Sequence, residues 1–178
     1  PWELTRLPFV ESSFNLRARS KVGASGVWQF MKSTGRFFLK INSGIDERSD
    51  PWRATEAAAQ LLQQNYESLG TWPLALTADN HGRVGMMKAV RKVGSNQLTD
   101  IIQNYDSRRF GFASSNFYAE FLAALEVSEN RSVYFKKEWD AGLKIDSAEP
   151  TFTVALPDAV SAPELVKLMG WSLASFAS

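Results

Sequence analysis

Glu11 is an acid set into an apolar stripe. Leu4, Leu7, Pro8 and Glu11 fall at i, i+3, i+4 and i+7, so a helix through them turns the carboxyl toward the packed face. Desolvation on that face raises a carboxyl pKa and keeps its proton near neutrality. That is what a general acid for breaking a glycosidic bond requires. The competing reading is an acid at the edge of an amphipathic stripe with its head in water, the usual place for a Glu. The residues just after Glu11 favour the chemical reading: Ser12, Ser13, and then an aromatic segment framed by Gly23 and Gly26.

These residues need elements to position them. Residues 3–14 read as a helix interrupted or kinked by Pro8, followed by a turn-like stretch carrying Arg17, Arg19, Ser20 and Lys21. Residues 27–38 read as a second helix rich in large apolar side chains, with Phe30 in the core. Asp50 before Pro51 is a helix start, the acid as N-cap and the proline in the first turn. Thr55, Ala58, Ala59, Leu62, Tyr66 and Leu69 keep helical spacing from there, and Gly70 supplies the stop. Further helices are expected at 72–80, 84–93, 97–105 and 114–128, the last with Phe117, Phe121, Leu122 and Leu125 facing the core. After Glu129 the texture changes: residues 151–156 alternate like a strand, and 163–169 form one small helix. The fold class is mainly α, with residues 1–130 as a helical domain and 131–178 as a C-terminal extension packed on it, holding the short strand and helix.

The 178 residues allow a proper core, and 44% hydrophobic with 22% charged residues is a globular composition. A net charge of +1 with Lys and Arg spread along the chain gives no argument for a nucleic-acid partner. No stretch approaches the roughly 18 apolar residues that cross a bilayer. The chain opens at Pro1 without a signal-peptide pattern, so the expectation is an exported protein, periplasmic or secreted, whose signal or anchor lies outside this stretch. Cys is absent and His81 is the one histidine. Disulfide scaffolds, thiol catalysis and Cys/His zinc sites are thereby excluded, and a serine triad would have to use His81. No metal or cofactor is expected, and the expected state is a monomer.

The segment Leu7-Pro8-Phe9-Val10-Glu11-Ser12, then Ala18 and Ser20, then Gly23-Ala24-Ser25-Gly26-Val27-Trp28-Gln29-Phe30-Met31 and Thr34-Gly35, resembles the catalytic region of lytic transglycosylases of the soluble-lytic-transglycosylase type, close to the membrane-bound D subgroup. That group is related in fold to goose-type lysozyme. The resemblance continues through Asp50-Pro51, Trp72-Pro73-Leu74-Ala75-Leu76, Ala78-Asp79-Asn80 and Asn116-Phe117-Tyr118, covering residues 1–128. It implies a lysozyme-like helical catalytic domain whose substrate is peptidoglycan glycan strands, with Glu11 as sole acid and base and Ser12 beside it. Ser20 belongs to the loop approaching the site, and Gly26, Val27, Trp28 and Gln29 to the motif lining the sugar groove. Asn80 belongs to the alanine-tyrosine-asparagine motif, and Tyr118 to the late tyrosine that reaches the acid. In such enzymes the acid protonates the oxygen between N-acetylmuramic acid and N-acetylglucosamine, then acts as base while the muramyl 6-hydroxyl closes a 1,6-anhydro ring. The residue types suit a sugar groove: an aromatic platform in Trp28, amide and hydroxyl groups in Gln29, Ser20 and Asn80, and glycines that let backbone approach. Core packing is the competing role for Trp28, Phe30 and Phe37.

The chain departs from the pattern at Asp79, where the family has tyrosine. Asp79 is expected to pair with a cationic substrate group, the free ammonium of a deacetylated glucosamine, to position water opposite Glu11, or to raise the Glu11 pKa by repulsion. The first makes the chain a lysozyme-type enzyme for deacetylated peptidoglycan; a catalytically impaired glycan-binding module is the alternative. Lys32 stands where a proline is usual and reads as solvated. His81 caps a helix end or bonds to the site. Asp46 and Glu47 are weak candidates for a second carboxylate.

Overall fold

The computed structural model describes residues 1–137 and 160–170. Leu74, Ala75, Leu76, Thr77 and Ala78 are consecutive and all buried. A helix apolar on every side belongs at the centre, and α4 (Trp72–His81) accordingly packs against α3 (Pro51–Leu69), α5 (Arg83–Val93) and α7 (Phe112–Glu129). One core on α4 joins Leu74 and Ala78 to Met86, Ala89, Ile101 and Phe110; a second joins Leu76 to Leu7, Leu62, Phe117 and Phe121. The central helix thus holds both halves of the domain and carries Asp79, Asn80 and His81 in its last turn.

The mainly α class holds. Asp50 caps α3 as expected, its Oδ1 accepting from the amides of Trp52 (2.9 Å) and Arg53 (3.1 Å), and Gly70 ends the helix at φ 76°. The buried stripe of α3 runs through Ala54, Ala57, Ala58, Leu62, Asn65 and Leu69, while Thr55 and Ala59 are exposed. Helix α6 (Leu98–Asn104) follows α5 as expected, and α8 (Arg131–Tyr134) follows α7. Leu122 is a correction: it is exposed, because the stripe through Ser114, Phe117 and Phe121 leaves the next residue about 100° round the helix.

Two expected helices differ. Residues 3–14 divide into a 3₁₀ turn, Trp2–Arg6, and α1 (Leu7–Ser12). Pro8 lies in the first turn of α1, where its missing N–H leaves no bond unmade, so it starts the helix and kinks nothing. Residues 27–38 keep only the single turn α2 (Lys32–Gly35). The rest is a looped ribbon in which Ser25 bridges Arg19 and Phe30. Gln29 causes this: at φ 46° it is left-handed, and its Nε2 donates to Gly26 O (2.7 Å) and Ala18 O (3.2 Å). A side chain that satisfies loop carbonyls competes with the helical ladder.

The chain forms two compact units, Pro1–Ala141 and Gly142–Ser178. In the second, α9 (Ala162–Met169) is the small helix expected at 163–169, opened by a capping box in which the Ser161 amide and hydroxyl donate to Glu164 Oε2 at 3.1 and 2.6 Å. The strand expected at 151–156 lies outside the described residues. No helix among the described residues is long and apolar enough to cross a membrane.

Candidate active site

Glu11 stands on the last turn of α1, and the chain leaves that turn sharply. Ser13 (φ 52°) and Phe14 (φ 59°) are both left-handed, their amides donating to Phe9 O and Pro8 O. The Phe14 ring meets the Phe9 ring edge-on at 4.7 Å, which pins a reversal that L-residues resist. Ser12 Oγ donates to Val27 O (2.8 Å), tying the helix of the acid to the glycine-framed loop.

Between that loop, α3, α4 and α5 lies a cleft of ≈ 1020 Å³, and Glu11, Ser20, Trp28, Gln29, Asp79 and Asn80 all line it. Of the other residues singled out in the sequence, Ser12, Gly26, Val27 and Tyr118 do not line it. Gly26 lies beneath, at φ 79°, where an added Cβ would fall 1.8 Å from Arg48 O. Val27 is buried. Tyr118 is half-buried between the two cores and stacks on Phe121 at 6.2 Å; no hydrogen bond joins it to Glu11 among the described residues. Ser20 Oγ accepts from Ala24 N (2.9 Å), Trp28 Nε1 donates to Thr55 Oγ1 (2.8 Å), and Asn80 Oδ1 accepts from Ser114 Oγ (2.8 Å). Each of these cleft residues is therefore anchored by a neighbour, and Gln29 spends its amide nitrogen on the loop.

Burial pushes the Glu11 carboxyl up to about 8, with the carboxylates of Asp79 and Glu120 adding to the rise. Asp79, half-buried at the end of α4, is pushed up to about 7 by burial, and no cation offsets it. Both carboxyls are thus pushed toward their protonated forms near neutrality. The pair titrates jointly.

The other candidates have structural roles. Arg48, 5% exposed, holds Asp46 through two contacts (2.9 and 2.7 Å) and donates to Gly23 O (2.8 Å) and Phe30 O (3.0 Å). That pairing holds the Asp46 carboxyl below its ordinary value. Glu47 accepts from the Lys40 amide (2.6 Å), and neither acid lines the cleft. Lys32 is exposed and outside the lining. His81 ends α4, with its ring edge-on to Phe110 (5.1 Å) and Tyr105 (6.3 Å); burial lowers its pKa, and it lines the cleft.

Several lining residues escaped the sequence reading. Phe30 is core, as expected, but Phe37 is 83% exposed and lines the cleft. Asn65, 1% exposed, lines it too; its Nδ2 donates to Ala75 O (3.2 Å) and its Oδ1 has no partner. An amide on the apolar stripe of α3 was the available signal. Arg83, Lys88 and Arg109 also line the cleft, and no motif announced them. Among the described residues no group of His, Cys, Asp and Glu could hold a metal ion.

Residues 1–102 match the family model of the transglycosylase SLT domain. Over 170 residues the chain is 29% identical to membrane-bound lytic murein transglycosylase D of Escherichia coli (strain K12), covering 94% of this chain and 35% of that protein. The protein of the same name from Escherichia coli O6:H1 matches to the same extent. The chain thus spans about a third of the length of the curated relatives it matches. With a mainly helical fold and a family match over more than half its length, the chain belongs to the transglycosylase SLT domain family.

Proposed function

We infer that the chain is a peptidoglycan-cleaving muramidase that cuts the β-1,4 bond between N-acetylmuramic acid and N-acetylglucosamine with Glu11 as its single acid and base. One observation carries this: a carboxyl pushed up to about 8 lies in a cleft of ≈ 1020 Å³ whose walls mix aromatic, amide and hydroxyl groups. Glu11 delivers its proton to the bridging oxygen as the bond breaks. The muramyl N-acetyl group assists departure, and Glu11 then takes the proton of the muramyl 6-hydroxyl as the anhydro ring closes. The substrate supplies the nucleophiles, so one acid suffices. Its place of action is the periplasm or the outside of the cell, and it works as a monomer.

Asp79 directs the enzyme toward deacetylated, glucosamine-containing wall. Its carboxyl is desolvated, and among the described residues no cation offsets the shift. An ammonium group supplies the missing counter-charge, whereas an acetamide methyl does not.

Digestion of acetylated and deacetylated sacculi, followed by mass analysis of soluble fragments, tests both statements. The expected outcome is preferential release from deacetylated wall. Glu11→Gln keeps binding and loses release by at least ~10²-fold. Asp79→Tyr shifts preference toward acetylated wall by roughly ten- to a hundredfold, the worth of a charged hydrogen bond. No release from either wall leaves a binding module. An unchanged preference in Asp79→Tyr removes the glucosamine reading.

A further inference from the structure

We propose that the side of the cleft built by α5 and the segment after α6 is a subsite for carboxylate groups borne by the glycan, held by Arg83, Lys88 and Arg109. This rests on reading the cleft as a glycan groove. Three cations and two carboxyls line it, in a chain whose net charge is only +1. Uncharged sugar rings give three cationic side chains nothing to pair with. Nor are they paired among the described residues, whose ion pairs join Arg48 to Asp46 and Arg53 to Glu56. Arg83 donates to Gln64 Oε1 (3.0 Å), a neutral partner that fixes its guanidinium at the cleft without neutralising it.

The cations come from separate elements brought together by packing. Arg83 and Lys88 are on α5, while Arg109 stands in the loop after α6. That loop is held by Lys92 Nζ donating to Asp106 O (3.1 Å) and by Phe110 against the His81 ring. Gly85, between the two α5 cations in sequence, leaves room for that ring, since a Cβ there would fall 2.6 Å from His81 Nε2. The His81 pKa is lowered, so the ring adds no charge, and no cation offsets the Asp79 shift. The cleft therefore offers separate sites for substrate groups of opposite sign. Carboxylates reach a glycan strand from its peptide substituents or, once these are removed, from the bare lactyl ether.

The test uses the whole chain carrying Glu11→Gln, which prevents turnover, with and without Lys88→Ala and Arg109→Ala. Affinity is measured for peptide-bearing glycan oligomers, for the same oligomers stripped of peptide to expose the lactyl carboxylate, and for chitooligosaccharide, which has no carboxylate. The two substitutions are expected to weaken peptide-bearing glycan by about threefold to thirtyfold, as two exposed charge contacts do. Chitooligosaccharide should change by less than about twofold, and the difference should fade at about 0.5 M salt, where screening shortens to a few ångström. A loss on peptide-bearing glycan with none on stripped glycan assigns the subsite to the peptide carboxylates, a loss on stripped glycan alone assigns it to the lactyl carboxylate, and equal losses on both show that it takes either. Equal effects on all three ligands, or none on any, overturn the proposal. Cleavage of stripped glycan by the unsubstituted chain is read separately. Cleavage without charge selectivity sinks this subsite alone, and selectivity without cleavage sinks the muramidase reading alone.

Discussion

At the scale of the residue, two carboxyls share one cleft, and the proposed chemistry needs them in opposite states. Glu11 must be protonated to act, so its contribution is full at low pH and is lost as pH rises through about 8. Asp79 must be ionised to hold an ammonium, so its contribution appears as pH rises through about 7. The kcat/KM on deacetylated glycan is therefore expected to follow a narrow bell with its maximum between about 7 and about 8. Asp79→Asn should abolish the acidic limb and move the alkaline limb to lower pH, because the negative neighbour that raises Glu11 is gone. A profile unaltered by that substitution would separate Asp79 from catalysis. Glu11 was legible in the sequence because its place in an apolar stripe is a local property. Asp79 and Asn80 were legible through a short motif. Arg83, Lys88 and Arg109 were not: a cation on a surface helix looks the same whether it faces solvent or a groove, and only the packing of α5 and the loop on α4 decides.

The elements that failed to match expectation are those whose shape depends on a distant contact. Residues 27–38 have helical composition, yet Gly26 must pass directly over the Arg48 carbonyl, and Gln29 then closes the loop with its own amide. That contact spans 22 positions and is invisible to local spacing. Phe37, which composition assigns to the interior, stands at the cleft instead. Gly26→Ala is accordingly expected to cost about 2–4 kcal/mol in thermal or urea unfolding, since left-handed strain adds to a backbone clash. Gly23→Ala should cost about 1–2 kcal/mol, for Gly23 has the same sign of φ (92°) but open space around it. Equal costs at the two positions would show that the Arg48 carbonyl moves aside freely. By contrast α3 was read correctly because Asp50, Pro51 and Gly70 carry its start and stop within the element itself.

For the whole molecule, Pro1–Ala141 forms its own compact unit and contains, among the described residues, all those that line the cleft. A chain ending at Ala141 is expected to unfold in one cooperative step and to retain glycan cleavage within about twofold, as a self-contained domain does. Loss of the transition in that shortened chain would give the remaining residues a part in stability. The helical class and the order of the helices were readable at this scale because capping residues and apolar spacing repeat along the chain. A division was readable from the change of texture after Glu129, while the boundary of the compact units, after Ala141, depends on which segments touch. Nature has also placed a reporter here. The chain contains a single histidine, and its ring forms part of the cleft wall. One imidazole signal in a proton NMR spectrum therefore stands clear of every other resonance of its kind, and its movement on adding saccharide gives a label-free reading of when the groove fills.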